Sequence, residues 1–173
     1  MVLMTQVSPD DLAVTHPVIF WYDPERDRWT PFPRLDFPAG LEWPVAFMSG
    51  PDVYMMFTRN GIPASSGNAF YRFRFTDGTL QELPTVPGVA RSFAFGFTDG
   101  RYGFIGGGLA PDGSNAWDVW RFDPQKVRWE RIENLPQGVR RAQAWQQGGS
   151  TFVGFGIGEK PGKLPVWKLV ISK

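Results

Sequence analysis

The chain has 173 residues, with 18 basic and 17 acidic side chains and a formal net charge of +1. This balance argues against nucleic acid as the main partner, because phosphate binding needs a clustered basic surface. Cysteine is absent and His16 is the one histidine, which excludes disulfides, thiolate metal sites and His-rich metal sites. We expect neither a metal nor another cofactor.

The same residues argue against an enzyme. A Ser-His-Asp triad would have to use His16, and no G-x-S-x-G nucleophile motif accompanies it. We predict no catalytic residue. No stretch approaches the ~18 apolar residues of a membrane helix, and the first residues lack the basic lead of a signal peptide. We therefore expect a cytoplasmic protein without a membrane partner.

The composition favours an all-β fold in one domain, residues 1–173. The 20 Gly and 16 Pro are spread along the chain. Gly supplies positive φ and Pro presets turns, so this mixture suits many short strands joined by tight turns. No helical periodicity is present.

The first element is a strand pair near residues 17–22 and 28–32. Tyr22 stands seven residues before Trp29, and Asp23-Pro24 follows the tyrosine. The same pattern returns at residues 88–136, here called the third unit. There Phe122 stands seven residues before Trp129, and Asp123-Pro124 follows the phenylalanine. A weaker copy has Leu80 seven residues after Phe73.

Between these aromatic pairs, apolar runs flank short turns. Gly50, Asp99 and Gly148 lie in the turns and are spaced by 49 and 49 residues. Arg91 and Arg140 are also 49 apart. Phe93, Phe95 and Phe97 alternate with smaller residues, which is the period of a strand. The chain is therefore predicted to consist of repeats of roughly 49 residues.

The third unit carries Gly106-Gly107-Gly108, Asn115, Trp120-Arg121-Phe122-Asp123 and Trp129. In these features it resembles a kelch repeat. The resemblance is weaker at 40–87, where Thr58-Arg59 replaces Gly-Gly. It implies a kelch-type β-propeller of four-stranded antiparallel blades, in which Trp29 and Trp129 pack between blades.

The repeats predict about three blades. They are a partial blade 14–35, blades 40–84 and 88–136, and a partial blade 139–171. Closed propellers have ~4 to 8 blades. A homodimer that completes a six-bladed ring by sharing one blade between copies is therefore favoured, with an open array or a fragment as the alternatives. In this count both ends of the chain offer a third strand, so the shared blade has one strand too many.

The loops after the second and fourth strands of each blade would share one face, which resembles the ligand-binding face of kelch proteins. The predicted binding residues are Trp43, Arg59, Asn60, Arg91, Asp112, Asn115 and Arg140. Arg91 and Arg140 begin innermost strands and could hold a carboxylate by forked hydrogen bonds. Alternatively, they anchor loop carbonyls and pair with acidic residues of adjacent blades.

Three functions stay open. The first is a non-catalytic interaction module for a protein or peptide partner, as in many kelch proteins. The second is a carbohydrate-binding or sugar-converting propeller for a small acidic sugar, similar to sialic-acid epimerases. The third is a purely structural ring.

Overall fold

A computed structural model describes residues 2–7, 15–31, 35, 37–59, 67–159 and 166–170. Within these residues regular structure consists of β-strands alone, which confirms the all-β prediction. In chain order, strands β1 to β16 are Val2–Val7, Thr15–Asp23, Arg28–Pro31, Leu41–Ser49, Asp52–Arg59, Asn68–Arg74, Leu80–Leu83, Phe95–Thr98, Gly103–Gly106, Val119–Asp123, Arg128–Arg131, Val139–Arg140, Gln143–Gln147, Ser150–Gly154, Ile157–Gly158 and Val166–Leu169.

The strands form four antiparallel sheets that follow one another along the chain. The N-terminal sheet is β1-β2-β3, the second sheet β4-β5-β6-β7, the third sheet β8-β9-β10-β11 and the C-terminal sheet β13-β14-β16. A short pair, β12-β15, lies beside the last of them. In each sheet, strands that follow one another along the chain pair side by side, because short turns favour antiparallel neighbours.

The predicted turns join the first two strands of three sheets. Gly50 and Gly148 have φ of 58° and 57°, which tight two-residue hairpins require and which glycine adopts without steric cost. Asp99 closes the longer turn by accepting hydrogen bonds from the Arg101 and Tyr102 amides at 2.9 and 2.7 Å.

Consecutive sheets pack face to face, so each interior sheet buries both faces. Ile19 of the N-terminal sheet packs with Met55 and Tyr71 of the second sheet. Two further core clusters have this arrangement: Phe70 packs with Phe122 between the second and third sheets, and Phe104 packs with Val153 between the third and C-terminal sheets. Strand alternation explains this, since neighbouring residues point to opposite faces.

The N-terminal sheet contains one strand more than the sequence predicts. β1 pairs with β2 from Val2↔Phe20 to Val7↔Thr15. The apolar start of the chain lacks the aromatic and turn signals that mark the other strands. Each terminal sheet thus has three strands. The sequence predicts two strands at the start of the chain and three at its end, so β1 is the additional strand.

Candidate functional site

Three successive sheets share a kink where the chain enters its first strand. Trp43, Phe93 and Arg141 have φ of 51°, 56° and 56°, in the left-handed region that non-glycine residues rarely adopt. At Trp43 the pairing of β4 with β5 shifts register between Glu42 and Val45. Such strained residues cost of order 1–3 kcal/mol each and cluster at functional sites.

The kinks bring three side chains into one row, which we call the inner-edge stack. The ring centroids of Trp43 and Phe93 are 4.5 Å apart, with an interplanar angle of 52°. The Arg141 guanidinium carbon lies 4.4 Å from the centroid of the Phe93 ring, on a cation–π contact. The Arg141 amide also donates to the Phe93 carbonyl at 2.9 Å. One row therefore joins the second, third and C-terminal sheets.

Both ends of the inner-edge stack are open to solvent. Trp43 is 49% exposed and Arg141 is exposed. Among the described residues, no carboxylate forms an ion pair with Arg141. The stack thus offers an aromatic surface and a guanidinium side by side, which suits a ligand that combines an anionic group with an apolar or planar one.

Arg91 is placed differently from the open cation that the sequence suggested. Its side chain is 0% exposed, and it forms a forked ion pair with Asp118, with nitrogen–oxygen distances of 2.7 and 2.8 Å. It also donates to the carbonyls of Val89 at 3.2 Å and Gly107 at 3.3 Å. Of the two predicted roles, the structure places Arg91 in the anchoring one.

The backbone of Arg91 is held by the second sheet. The buried Asn68 side chain accepts from the Arg91 amide at 3.0 Å and donates to the Arg91 carbonyl at 2.7 Å. The Thr58 hydroxyl donates to the same carbonyl at 3.1 Å. These bonds fix the entry to the third sheet two residues before Phe93, and so support the kink.

Asp118 carries the charge that balances Arg91. Burial opposes its ionisation, but the hydrogen bonds and charge of Arg91 outweigh burial, so the pKa of Asp118 is below the usual 3.8. The Trp120 indole also donates to it at 2.6 Å and favours the charged form. The pair is a structural unit with no charge left to offer a ligand.

Arg140 occupies the equivalent repeat position in the C-terminal part of the chain and is partly exposed. Its guanidinium donates to the Asn115 side-chain oxygen at 2.8 Å, and Asn115 donates to the Ile157 carbonyl at 3.3 Å. Arg140 forms no ion pair with any described carboxylate. Arg140 is thus next in sequence to Arg141 of the inner-edge stack, and Asn115 is bonded to Arg140.

The remaining predicted residues lie apart from the stack. Arg59 forms an ion pair with Glu82 at 2.6 Å. Asp112 accepts from the Ser114 hydroxyl and amide at 2.7 and 2.9 Å; both bonds hold its pKa below the usual value and brace its own turn. Asn60 lies outside the described residues.

Of the predicted residues, Trp43 belongs to the stack, and Arg140, the residue before Arg141, bonds to Asn115. The structure adds Phe93 and Arg141 to the stack. Sequence reasoning missed these two. The alternation of Phe93, Phe95 and Phe97 predicts a regular strand from Phe93, whereas β8 begins at Phe95. Their left-handed conformation has no sequence signal, because neither is glycine or asparagine.

A second polar feature lies on the third sheet, around Arg121 of β10. Arg121 is 4.8 Å from the Tyr102 ring centre and pairs with Glu130 at 2.7 Å. These contacts raise the pKa of Arg121 and lower that of Glu130, each through the hydrogen bond between them. Arg121 and Glu130 therefore form a pair within the protein.

The described residues bring no three His, Cys, Asp or Glu side chains together as a metal site would need. No helix in the described ranges has the length and apolarity to cross a membrane.

Comparison with known proteins gives a likeness of fold. No protein-family model and no curated protein matches the chain. A solved structure described as "Structure of YjhT" matches with a TM-score of 0.54 and 20% sequence identity. The match covers 68% of this chain and 34% of that one, so this chain spans about a third of that protein's length.

Proposed function

We propose that the chain is a kelch-type propeller array that serves as a non-catalytic binding module, with a peptide segment of a protein partner bound at the inner-edge stack. The observation that carries this proposal is the row of Trp43, Phe93 and Arg141. Each member comes from a different sheet and each sits on a strained backbone.

The proposal of a propeller array rests on how the sheets follow one another. Two complete sheets have four antiparallel strands in chain order, and consecutive sheets pack face to face. Propeller blades have this strand order and this packing. The spacing of 49 residues between Arg91 and Arg140 adds a sequence repeat of the right length.

The chemistry of the stack favours an acidic peptide. Arg141 can hold a carboxylate by forked hydrogen bonds, and its cation–π contact with Phe93 keeps the guanidinium in place. Trp43 then offers an apolar surface to the next side chain of the peptide. Trp and Arg are the residue types that most often dominate binding energies.

A binding role also agrees with the state of the other ionisable groups. Arg91 with Asp118, and Arg59 with Glu82, form pairs within the protein. Asp112 holds its own turn. A general acid or base needs a perturbed group that faces a substrate, and these groups face each other.

Selection from a displayed random peptide library tests the proposal. We expect the selected peptides to contain Asp or Glu next to an aromatic or apolar residue. Their affinity should fall at least roughly tenfold in Trp43→Ala and in Arg141→Ala, because truncating an interface hot spot costs about 2 kcal/mol or more. Trp117→Ala and Arg128→Ala are matched controls, since both residues are exposed and outside the stack.

A small acidic sugar is the second candidate, because a half-exposed Trp43 beside Arg141 also suits a sugar ring with a carboxylate. Titration with sialic and uronic acids separates the two. Saturable sugar binding that depends on Trp43 and Arg141 would replace the peptide proposal. Peptide binding that tolerates both substitutions would contradict the stack as the site.

A further inference from the structure

A tryptophan that is buried in the third sheet has an exposed counterpart at the start of the chain. In the third sheet Trp129 pairs with Phe122, is 9% exposed and donates to the Pro84 carbonyl of the second sheet at 2.9 Å. In the N-terminal sheet Trp29 pairs with Tyr22 in the same way, with ring centroids 4.7 Å apart. Trp29 is nevertheless 51% exposed. Among the described residues, no further sheet covers this packing position.

The C-terminal sheet leaves the opposite kind of face open. In the second sheet Phe47 and Tyr54 stack across a hairpin with a two-residue turn, and both are buried. In the C-terminal sheet Trp145 and Phe152 occupy the same hairpin positions and stack with centroids 5.7 Å apart. Trp145 also stacks on Phe155, at 5.2 Å, which is 60% exposed.

The two open faces are complementary, because the molecule already contains their contact. Between the second and third sheets, the Phe122 ring lies 5.3 Å from Tyr54 and 6.3 Å from Phe47. Tyr22 with Trp29 corresponds to the Phe122 side of that contact. Trp145 with Phe152 corresponds to the Phe47 side. Each end of the chain therefore carries one half of an interface that occurs intact inside it.

We propose that the Trp29 face of one copy packs on the Trp145 face of a second copy, and that two copies close a ring head to tail. Each such contact is heterologous, and heterologous contacts generate rings when their rotation closes. Closure would cover the exposed Trp29 and Phe155 and the half-buried Trp145 and Phe152, and exposed apolar surface of this kind often marks an interaction site.

The number of sheets agrees with closure by two copies. Four sheets per chain give eight in the ring, and closed propellers have ~4 to 8 blades. The six-bladed ring expected from the sequence would need the two ends to merge into one sheet.

Light scattering on the purified chain, combined with two face variants, tests this inference. We expect the wild type to have about twice the 19.5 kDa of one chain. Trp29→Asp and Trp145→Asp should each be monomeric, because each places a charge in both contacts of the ring. Trp117 is about as exposed as Trp29 but belongs to neither face, so Trp117→Asp should remain a dimer. Circular dichroism confirms that every variant is folded.

Mixing the two face variants distinguishes the head-to-tail arrangement from a symmetric one. Trp29→Asp keeps an intact Trp145 face, and Trp145→Asp keeps an intact Trp29 face. Their equimolar mixture should therefore form dimers through one unmodified contact. A wild-type monomer, a larger assembly, face variants that stay dimeric, or a mixture that stays monomeric would overturn the proposal.

Discussion

At the residue scale, one repeat position serves two purposes. Arg91 and Arg140 stand 49 residues apart, and both precede the first strand of a sheet. Asp118 faces Arg91 and buries it in an ion pair, whereas Arg140 faces the neutral Asn115. Arg91 stabilises the fold by bonding to Asp118 and to loop carbonyls. Arg140 has a neutral partner and is next in sequence to Arg141 of the inner-edge stack.

This difference predicts unequal effects on stability. Arg91→Ala should lower the free energy of unfolding by roughly 3–5 kcal/mol, because it leaves the Asp118 charge without its partner. Arg140→Ala should cost only about 1 kcal/mol, the usual value of one hydrogen bond. Urea denaturation measures both. Similar losses for the two variants would contradict the assigned roles.

The same pair predicts a dependence on pH. The pKa of Asp118 in the folded state is below its ordinary value of 3.8. The charged carboxylate therefore stabilises the fold fully above pH 3.8, and this contribution is lost as the pH falls through the lower, folded-state pKa.

Urea denaturation of the wild type and of Asp118→Asn at pH 7 and pH 3 measures the effect. The wild type should be the more stable at pH 7, and its advantage should shrink at pH 3. An advantage that is independent of pH would show that the Asp118 charge contributes nothing.

At the element scale, glycines on two strands of the third sheet allow the second and third sheets to pack closely against each other. A Cβ at Gly103 would lie 1.9 Å from the Phe47 ring, closer than any two such atoms can come. Gly96 on β8 also lies close to the second sheet, with a built Cβ 2.8 Å from Val45. Aromatic side chains from one sheet thus fill the space left by glycines in the next.

Gly103→Ala should lower the free energy of unfolding by about 1–3 kcal/mol, the usual cost of overpacking a core. Phe47→Leu should relieve part of that cost in the double variant, since the shorter side chain makes room for the methyl group. A double-mutant cycle measures this coupling. Additive losses would show that the two residues do not compete for the same space.

Local signals explain which elements could be predicted from the sequence. Gly50 and Gly148 mark hairpins because their left-handed φ suits glycine, and the Phe122 and Trp129 pair marks two strands. β1 carries no such signal and was missed. The ion pair of Arg91 with Asp118 joins residues 27 apart, and only the packed third sheet brings them together.

The inner-edge stack could be predicted only in part, because its geometry depends on contacts between residues that are distant in the sequence. Of its three members, only Trp43 is among the predicted binding residues. Phe93 and Arg141 owe their position to backbone kinks that tertiary bonds impose, such as the Asn68 bonds to Arg91. Local propensity opposes these kinks, so it could not reveal them.

At the scale of the whole molecule, four sheets in series place the stack on a rigid base. Three core clusters join the sheets in turn, so the kinked segments are held from both sides. A preorganised aromatic and cationic row needs little ordering when a partner binds, and this raises affinity without additional contacts. The proposed ring would set two such rows around one axis.

Photo-crosslinking from within the stack tests the binding site most directly. The photoreactive p-benzoylphenylalanine replaces Trp43 in one preparation and Trp117 in another, and each is irradiated with a selected acidic peptide. We predict adducts from position 43 that disappear when Arg141 is changed to Ala, and none from position 117. Adducts from position 117 alone, or adducts from position 43 that persist without Arg141, would contradict the inner-edge stack as the binding site.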